Sequence, residues 1–209
     1  MRLPLLKTKI AIDENTASNY NRIAHVYDSL TSVFEPFISK HRKELLCHSK
    51  GIVLEVGLGT GNSFKDYPEG SHVIAIDASR GMLQQAKQKN NQQNADAEIL
   101  VENVQNLSFE DERFDTIFSS LVFCAVADPV KGLREMRRVI KKNGALLMLE
   151  HVRSQNSFLG YAMDKLNPVV SRFDNINRDT VANLRKAGWK VIVERNLVGD
   201  ILKAVTASK

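Results

Sequence analysis

Hydrophobic positions along the chain follow two periods, one helical and one of short unbroken runs, and their order predicts most of the architecture. From Tyr20 the segment YNRIAHVYDSLTSVFEPFISKHRKELLCHS sets Ile23, Val26, Tyr27 and Leu30 at helical spacing, breaks at Pro36 and resumes from Ile38 to Cys47. Two helices are expected there, ahead of any strand, and residues 1–19 read as an arm or a short first helix. Ile52-Val53-Leu54 has the composition of a buried strand, and His72–Ile76, Ala97–Val101, Phe114–Ser120 and Ala145–Leu149 repeat the pattern. Between the last two, Asp128-Pro129 starts a basic amphipathic helix with Leu133, Met136, Val139 and Ile140 inward and Gly144 as its left-handed stop. Residues 152–176 form an apolar insertion carrying Phe158, Leu159, Tyr161, Met163, Leu166, Pro168 and Phe173, expected to wall an acceptor pocket or to pack as a satellite helix. Asn177-Arg178-Asp179-Thr180 leads a helix ending at Gly188, and Lys190–Leu197 and Ile201–Thr206 pair around Gly199-Asp200 as a terminal hairpin. The alternation predicts an α/β, doubly wound, mostly parallel sheet of seven strands with an antiparallel C-terminal hairpin at its edge.

The chemistry concentrates at the ends of the first two strands. GIVLEVGLGTG runs from a strand through Glu55 into Gly57, Gly59 and Gly61, a loop whose backbone has to pass close to a ligand, and Asn62-Ser63-Phe64-Lys65 can open a helix behind it. The dinucleotide fingerprint G-x-G-x-x-G would need glycine at Asn62, and the carboxylate of Glu55 would repel a diphosphate while suiting an amino acid ammonium. Asp77 ends the second strand, where a carboxylate can accept both hydroxyls of a ribose or cap the helix that begins at Ala78-Ser79. Tyr20, His25, Tyr27 and Asp28 lie on the first predicted helix, which can cover that site, and His151 stands at the same rim at the end of the fifth strand. That helix after Asp77 dissolves in the polar tract Asn90 to Asn94.

Composition narrows the class. At 209 residues, 43% hydrophobic and 25% charged, the chain fits one soluble domain over 1–209, with 1–50 as arm and lid helices and 51–209 as the core. No apolar run reaches a membrane span and no secretory leader is evident, so a cytoplasmic setting is expected. Cys47 and Cys124 show no metal-ligand spacing, and no metal is expected. The net charge of +5 suits an anionic membrane surface touched peripherally. Nucleic acid is not expected as a partner. The stretch after Ser120 carries no N/D-P-P-Y/F motif, and Cys124 is followed by Ala125 and reads as a small apolar residue.

Read together, LEVGLGTG, VIAIDASRGML, NVQNLSFEDERFDTIFSS and EMRRVIKKNGALLMLEH resemble the ordered motifs of the class I S-adenosylmethionine (SAM) dependent methyltransferases, over essentially the chain from Tyr20 onward. YNRIAHVYD is similar to the ubiquinone/menaquinone methyltransferases and the soluble bacterial phosphatidylethanolamine N-methyltransferases, whereas SSLVFCAVADP and LEHV are closer to the thiol methyltransferase-like branch. The resemblance implies a Rossmann-like sheet, SAM as cofactor and S-adenosylhomocysteine as product. It implies Glu55 at the methionine ammonium, the glycine loop at its carboxylate, Asp77 at the ribose, Met82 and Val104 on the adenine faces and Asn103, where the family commonly has an acid, at the adenine edge. Tyr20, Ala78, Ser120 and Leu121 complete the expected cofactor set, with Tyr27 and His151 as candidates to take the proton of an amine or thiol acceptor. The expected activity is methyl transfer to a small-molecule or lipid acceptor, a phospholipid amine first, a quinone precursor or thiol second. A nicotinamide oxidoreductase and a non-catalytic SAM-binding protein are the readings from other classes.

Overall fold

The computed structural model describes residues 14–93, 97–171 and 174–209. Most of the arm expected over 1–19, Asn94 of the polar tract and Phe173 of the insertion lie outside them. Strands β1 (Ile52–Val56), β2 (His72–Asp77), β3 (Ala97–Val101), β4 (Phe114–Ser120), β5 (Ile140–His151), β6 (Lys190–Val198) and β7 (Leu202–Ser208) form one sheet in the order β3-β2-β1-β4-β5-β7-β6. All neighbours from β3 to β5 are parallel, and β7 runs antiparallel to both β5 and β6. The antiparallel strand is therefore inside the sheet, and β6, exposed along its length and charged at Lys190, Glu194 and Arg195, forms the edge.

Side chains alternate across the buried strands, so each face carries its own core. Leu54, Val56, Ile76 and Ile117 meet α4 (Pro129–Val139) and α6 (Thr180–Lys186), where Trp189 donates its indole N–H to the Leu133 carbonyl at 2.9 Å. Val53, Val73, Ala75 and Phe118 meet α2 (Glu35–Leu46) and α3 (Arg80–Gln93). The first helix, α1 (Glu14–Thr31), lies against α3, and α5 (Ser157–Val170) follows β5.

Two local expectations are corrected, and two open alternatives, the arm or helix before Tyr20 and the pocket wall or satellite helix of 152–176, are decided for helix among the described residues. α1 begins at Glu14, ahead of Tyr20, so residues 14–19 are helical. Behind the glycine loop there is one 3₁₀ turn, Phe64–Asp66, because Pro68 forces Tyr67 into an extended conformation. α4 stops at Val139, where the carbonyls of Arg138 and Val139 accept the N–H groups of Glu112 and Arg113, and Gly144 is a strand residue pressed against Ile140 and the Asp115 carbonyl. α5 contributes nothing to the wall of the main cavity; Phe158, Tyr161, Leu166 and Val169 point to solvent.

α2 is pinned to the 3₁₀ turn by a buried ionic cluster. Arg42 reaches Asp66 at 2.7 Å and Glu35 at 2.5 Å, and the Asp66 side chain is fully buried. Removing the guanidinium strands that carboxylate without a strong partner. Arg42→Ala is expected to lower the unfolding free energy by about 3 kcal/mol in urea titrations, well beyond a surface substitution.

Candidate functional site

Strand order reverses between β1 and β4, and the carboxyl ends of these strands open there into a cavity of about 530 Å³. The glycine loop forms one wall. Gly57 (φ +71°) cannot carry a Cβ, which would stand 2.3 Å from the Val122 side chain. Gly59 (φ +60°) faces open space, so its missing Cβ leaves room at the cavity surface. Gly61 (φ +79°) does not reach the cavity; a Cβ there would collide with Phe64 and α3, so its role is packing, a correction to the expected set.

Asp77 locks this loop to the second strand. Its Oδ2 accepts the Gly59 N–H at 2.9 Å and its Oδ1 the Ser79 N–H at 2.8 Å, and desolvation raises its pKa against those bonds. The cap of α3 is Ser79, whose hydroxyl accepts the Met82 N–H, which leaves the Asp77 carboxylate at the cavity wall beside Ala78 and Met82. Asn103 and Val104 line the next stretch. The Asn103 oxygen accepts the Gln105 N–H at 2.9 Å and its side-chain amide at 3.3 Å, so the oxygen expected at an adenine edge is already engaged locally.

Two buried carboxyls stand near the carboxyl ends of β1 and β5, on opposite faces of the sheet. Glu55 accepts the Tyr67 hydroxyl at 2.9 Å, and burial pushes its pKa up to about 7. Glu150, which sequence inspection leaves as a mere strand end, is wholly buried and holds the exit of β4: it accepts the Ser119 hydroxyl at 3.1 Å and the N–H groups of Val122 and Phe123 at 3.3 and 3.2 Å. Desolvation raises its pKa to about 7 as well. Those bonds fix Leu121 at φ +57°, a conformation a branched side chain adopts only under constraint, and set Ser120 and Leu121 at the cavity wall. An acid inside the otherwise apolar run ALLMLEH was the available signal.

α1 closes the cavity from above. Asp28 accepts the Thr60 hydroxyl at 2.6 Å and the Asn62 amide at 3.1 Å and pairs with Lys89 at 2.6 Å, tying the lid to the glycine loop itself. Asn21 accepts the Ser79 hydroxyl and the Gly81 N–H. Tyr20 and Tyr27 both line the cavity, edge to face at 6.2 Å, and the Tyr20 hydroxyl donates to Asp174 at 2.8 Å. His25 is exposed and off the cavity wall.

The proton-handling candidates separate. Desolvation, with Asp174 adding to it, pushes the Tyr27 phenol up to about 12, which favours the protonated phenol near neutral pH. His151 lines the cavity with its pKa lowered by burial, so it is neutral near pH 7, and its Nδ1 makes no hydrogen bond among the described residues. The Cys124 thiol is buried and raised by desolvation, which rules against a nucleophile. Among the described residues no cluster of histidine, cysteine and carboxylate side chains could hold a metal.

A sheet in this order, with a ligand-sized crevice over a glycine loop and an acidic strand tip, is the fold of the class I SAM-dependent methyltransferases. Residues 54–148 match the family described as methyltransferase domain. It is 29% identical to the mitochondrial methyltransferase OMS1 of Saccharomyces cerevisiae, with 76% of this chain and 38% of that protein aligned. It is 26% identical to a demethylmenaquinone methyltransferase of Paenarthrobacter aurescens over 94% of this chain and 87% of that one. To the phosphatidylethanolamine N-methyltransferase of Cereibacter sphaeroides it is 33% identical over 60% of this chain and 61% of the relative. In fold it is similar to a SAM-dependent methyltransferase of Thermotoga maritima described as a possible histamine N-methyltransferase, with a TM-score of 0.68, 20% identity and coverage of 91% and 98%.

Glu55 and Glu150 also shape the pH response. Each ordinarily titrates near 4.5 and near 7 in the fold, so folding takes up protons between those values and the unbound protein loses stability as pH rises through the window. Thermal unfolding between pH 5 and 8 is expected to show this decline, and Glu150→Gln to flatten it in part.

Proposed function

We propose that this chain transfers the methyl group of SAM to the amine of a phospholipid headgroup. The observation that carries the reading is the mouth of the cavity, where Phe34, Phe37 and Val198 line the cavity and at the same time stand 68%, 39% and 43% exposed. An amphiphile whose polar head enters while its chains lie on this collar satisfies both surfaces. Among the described residues Arg42 is the sole cation lining the cavity, and it is spent on Glu35 and Asp66, so the phosphodiester stays at the rim.

The residues present fit the cofactor. Glu55 would meet the methionine ammonium and Gly57–Gly59 its carboxylate. Asp77 would accept the ribose hydroxyls, Ala78, Met82 and Val104 would flank the adenine, and Asn103 would yield its weaker Gln105 contact to the adenine amino group. Ser120, Leu121 and Tyr20 would close the remaining sides. SAM supplies an electrophilic methyl on a sulfonium, so the protein's task is alignment and removal of a proton. Neutral His151 is the group to take that proton, and Tyr27 can donate a hydrogen bond. The exposed apolar face of α5, with Lys165 over the Tyr161 ring, favours a cytoplasmic enzyme in peripheral contact with an anionic bilayer. Among the described residues no helix is long and apolar enough to cross one.

A quinone-precursor acceptor is the second reading, favoured by the likeness over 94% of the chain to a demethylmenaquinone methyltransferase. With radiolabelled SAM and vesicles of phosphatidylethanolamine, label is expected in the mono- and dimethylated lipid; label only in demethylmenaquinol or in a thiol would overturn the amine assignment. Asp77→Ala is expected to weaken S-adenosylhomocysteine binding by at least about tenfold in calorimetry.

A further inference from the structure

Asp174 lies between α5 and α6, 154 residues from the tyrosine whose hydroxyl it accepts. Its Oδ1 takes both that hydroxyl, at 2.8 Å, and the Cys124 thiol, at 3.4 Å, while Oδ2 has no bond among the described residues. The segment it belongs to is strapped across the β4 exit loop: Asn175 donates its backbone and side-chain N–H to the Cys124 carbonyl at 2.9 and 3.1 Å, and Arg178 donates to the Val126 carbonyl at 2.8 Å. The carboxylate is therefore held at a fixed place behind the cavity wall. In front of it stand the Tyr20 and Tyr27 rings.

The charge balance of the cavity points the same way. Asp77 and Glu102 line it, with Glu55, whose pKa burial pushes up to about 7, while Arg42 is paired with Glu35 and Asp66 and adds no free positive charge. His151 adds no positive charge near pH 7, because burial keeps it neutral. Electron-rich ring faces backed by a fixed carboxylate attract an organic cation, and a protonated or methylated amine is that cation. A quinol or a thiol gains nothing from such a wall.

We propose that Tyr20, Tyr27 and Asp174 form a subsite for the ammonium head of the acceptor, with Asp174 acting through Tyr20 and through its field. The subsite rests on the phospholipid-amine reading and says which part of the cavity recognises the amine. Asp174 is thus a positioning residue, and its mark is selectivity for charge.

The test measures binding rather than turnover. The full chain, saturated with S-adenosylhomocysteine, is titrated calorimetrically with dihexanoylphosphatidylcholine and with the uncharged analogue in which a 3,3-dimethylbutyl group replaces choline. The wild type is expected to bind the ammonium lipid about tenfold more tightly. Asp174→Asn is expected to cut that preference to about threefold or less while binding of the uncharged analogue and of S-adenosylhomocysteine stays unchanged. Tyr27→Leu should reduce the preference independently, and it decides the matter should the Asp174 variant fail to fold. Equal binding of the two lipids by the wild type, or an equal loss for both in Asp174→Asn, would overturn the subsite. Persistence of the ammonium preference in a protein that labels only quinol or thiol would refute the amine assignment and leave the subsite standing.

Discussion

The buried Glu150 carboxyl is the constraint on which the crevice depends. By accepting two successive backbone N–H groups after β4 it holds Leu121 in a left-handed conformation and turns Val122 toward the first strand. Val122 then occupies the space that any side chain at residue 57 would need. The requirement for glycine at Gly57 is thus set from the opposite side of the switch point, by an acid on β5. Burying a carboxyl wholly is costly, and the raised pKa is the trace of that cost. The outcome is two interlocked loops with a gap between them that no side chain of either fills.

The lid is joined to the same loops by charge rather than by apolar packing alone. Asp28 gathers Thr60, Asn62 and Lys89, so the glycine loop, α3 and α1 share a single carboxylate. Asn21 and Tyr20 extend the attachment to Ser79 and Asp174. The attachment points lie on loops that also border the cavity, and so the position of α1 and the shape of the cavity are linked.

The sheet and most of the cavity wall were legible in the sequence because they rest on local signals. Apolar runs mark strands, and a polar residue or a glycine at a strand tip marks the carboxyl edge of the sheet; Gly57, Gly59, Asp77 and His151 were found this way, Met82 and Val104 through the family resemblance, and all meet in one cavity. What stayed hidden depends on contacts remote in sequence. Asp174 bonds a tyrosine 154 residues away, and no spacing announces that. Gly61 looked like its neighbours in the loop, yet it is decided by Phe64 and α3. The helix expected after the loop failed for a local reason given too little weight, the restriction that Pro68 places on Tyr67. Tyr27 lines the cavity as expected, and the burial that raises its pKa is not written in a heptad of sequence.

The clasp at Asp28 imposes an order of events. A nucleoside held on the glycine loop lies beneath α1, so it can leave only after three polar contacts around that one carboxylate have parted. Release of a nucleoside from the glycine loop is thereby coupled to the position of α1.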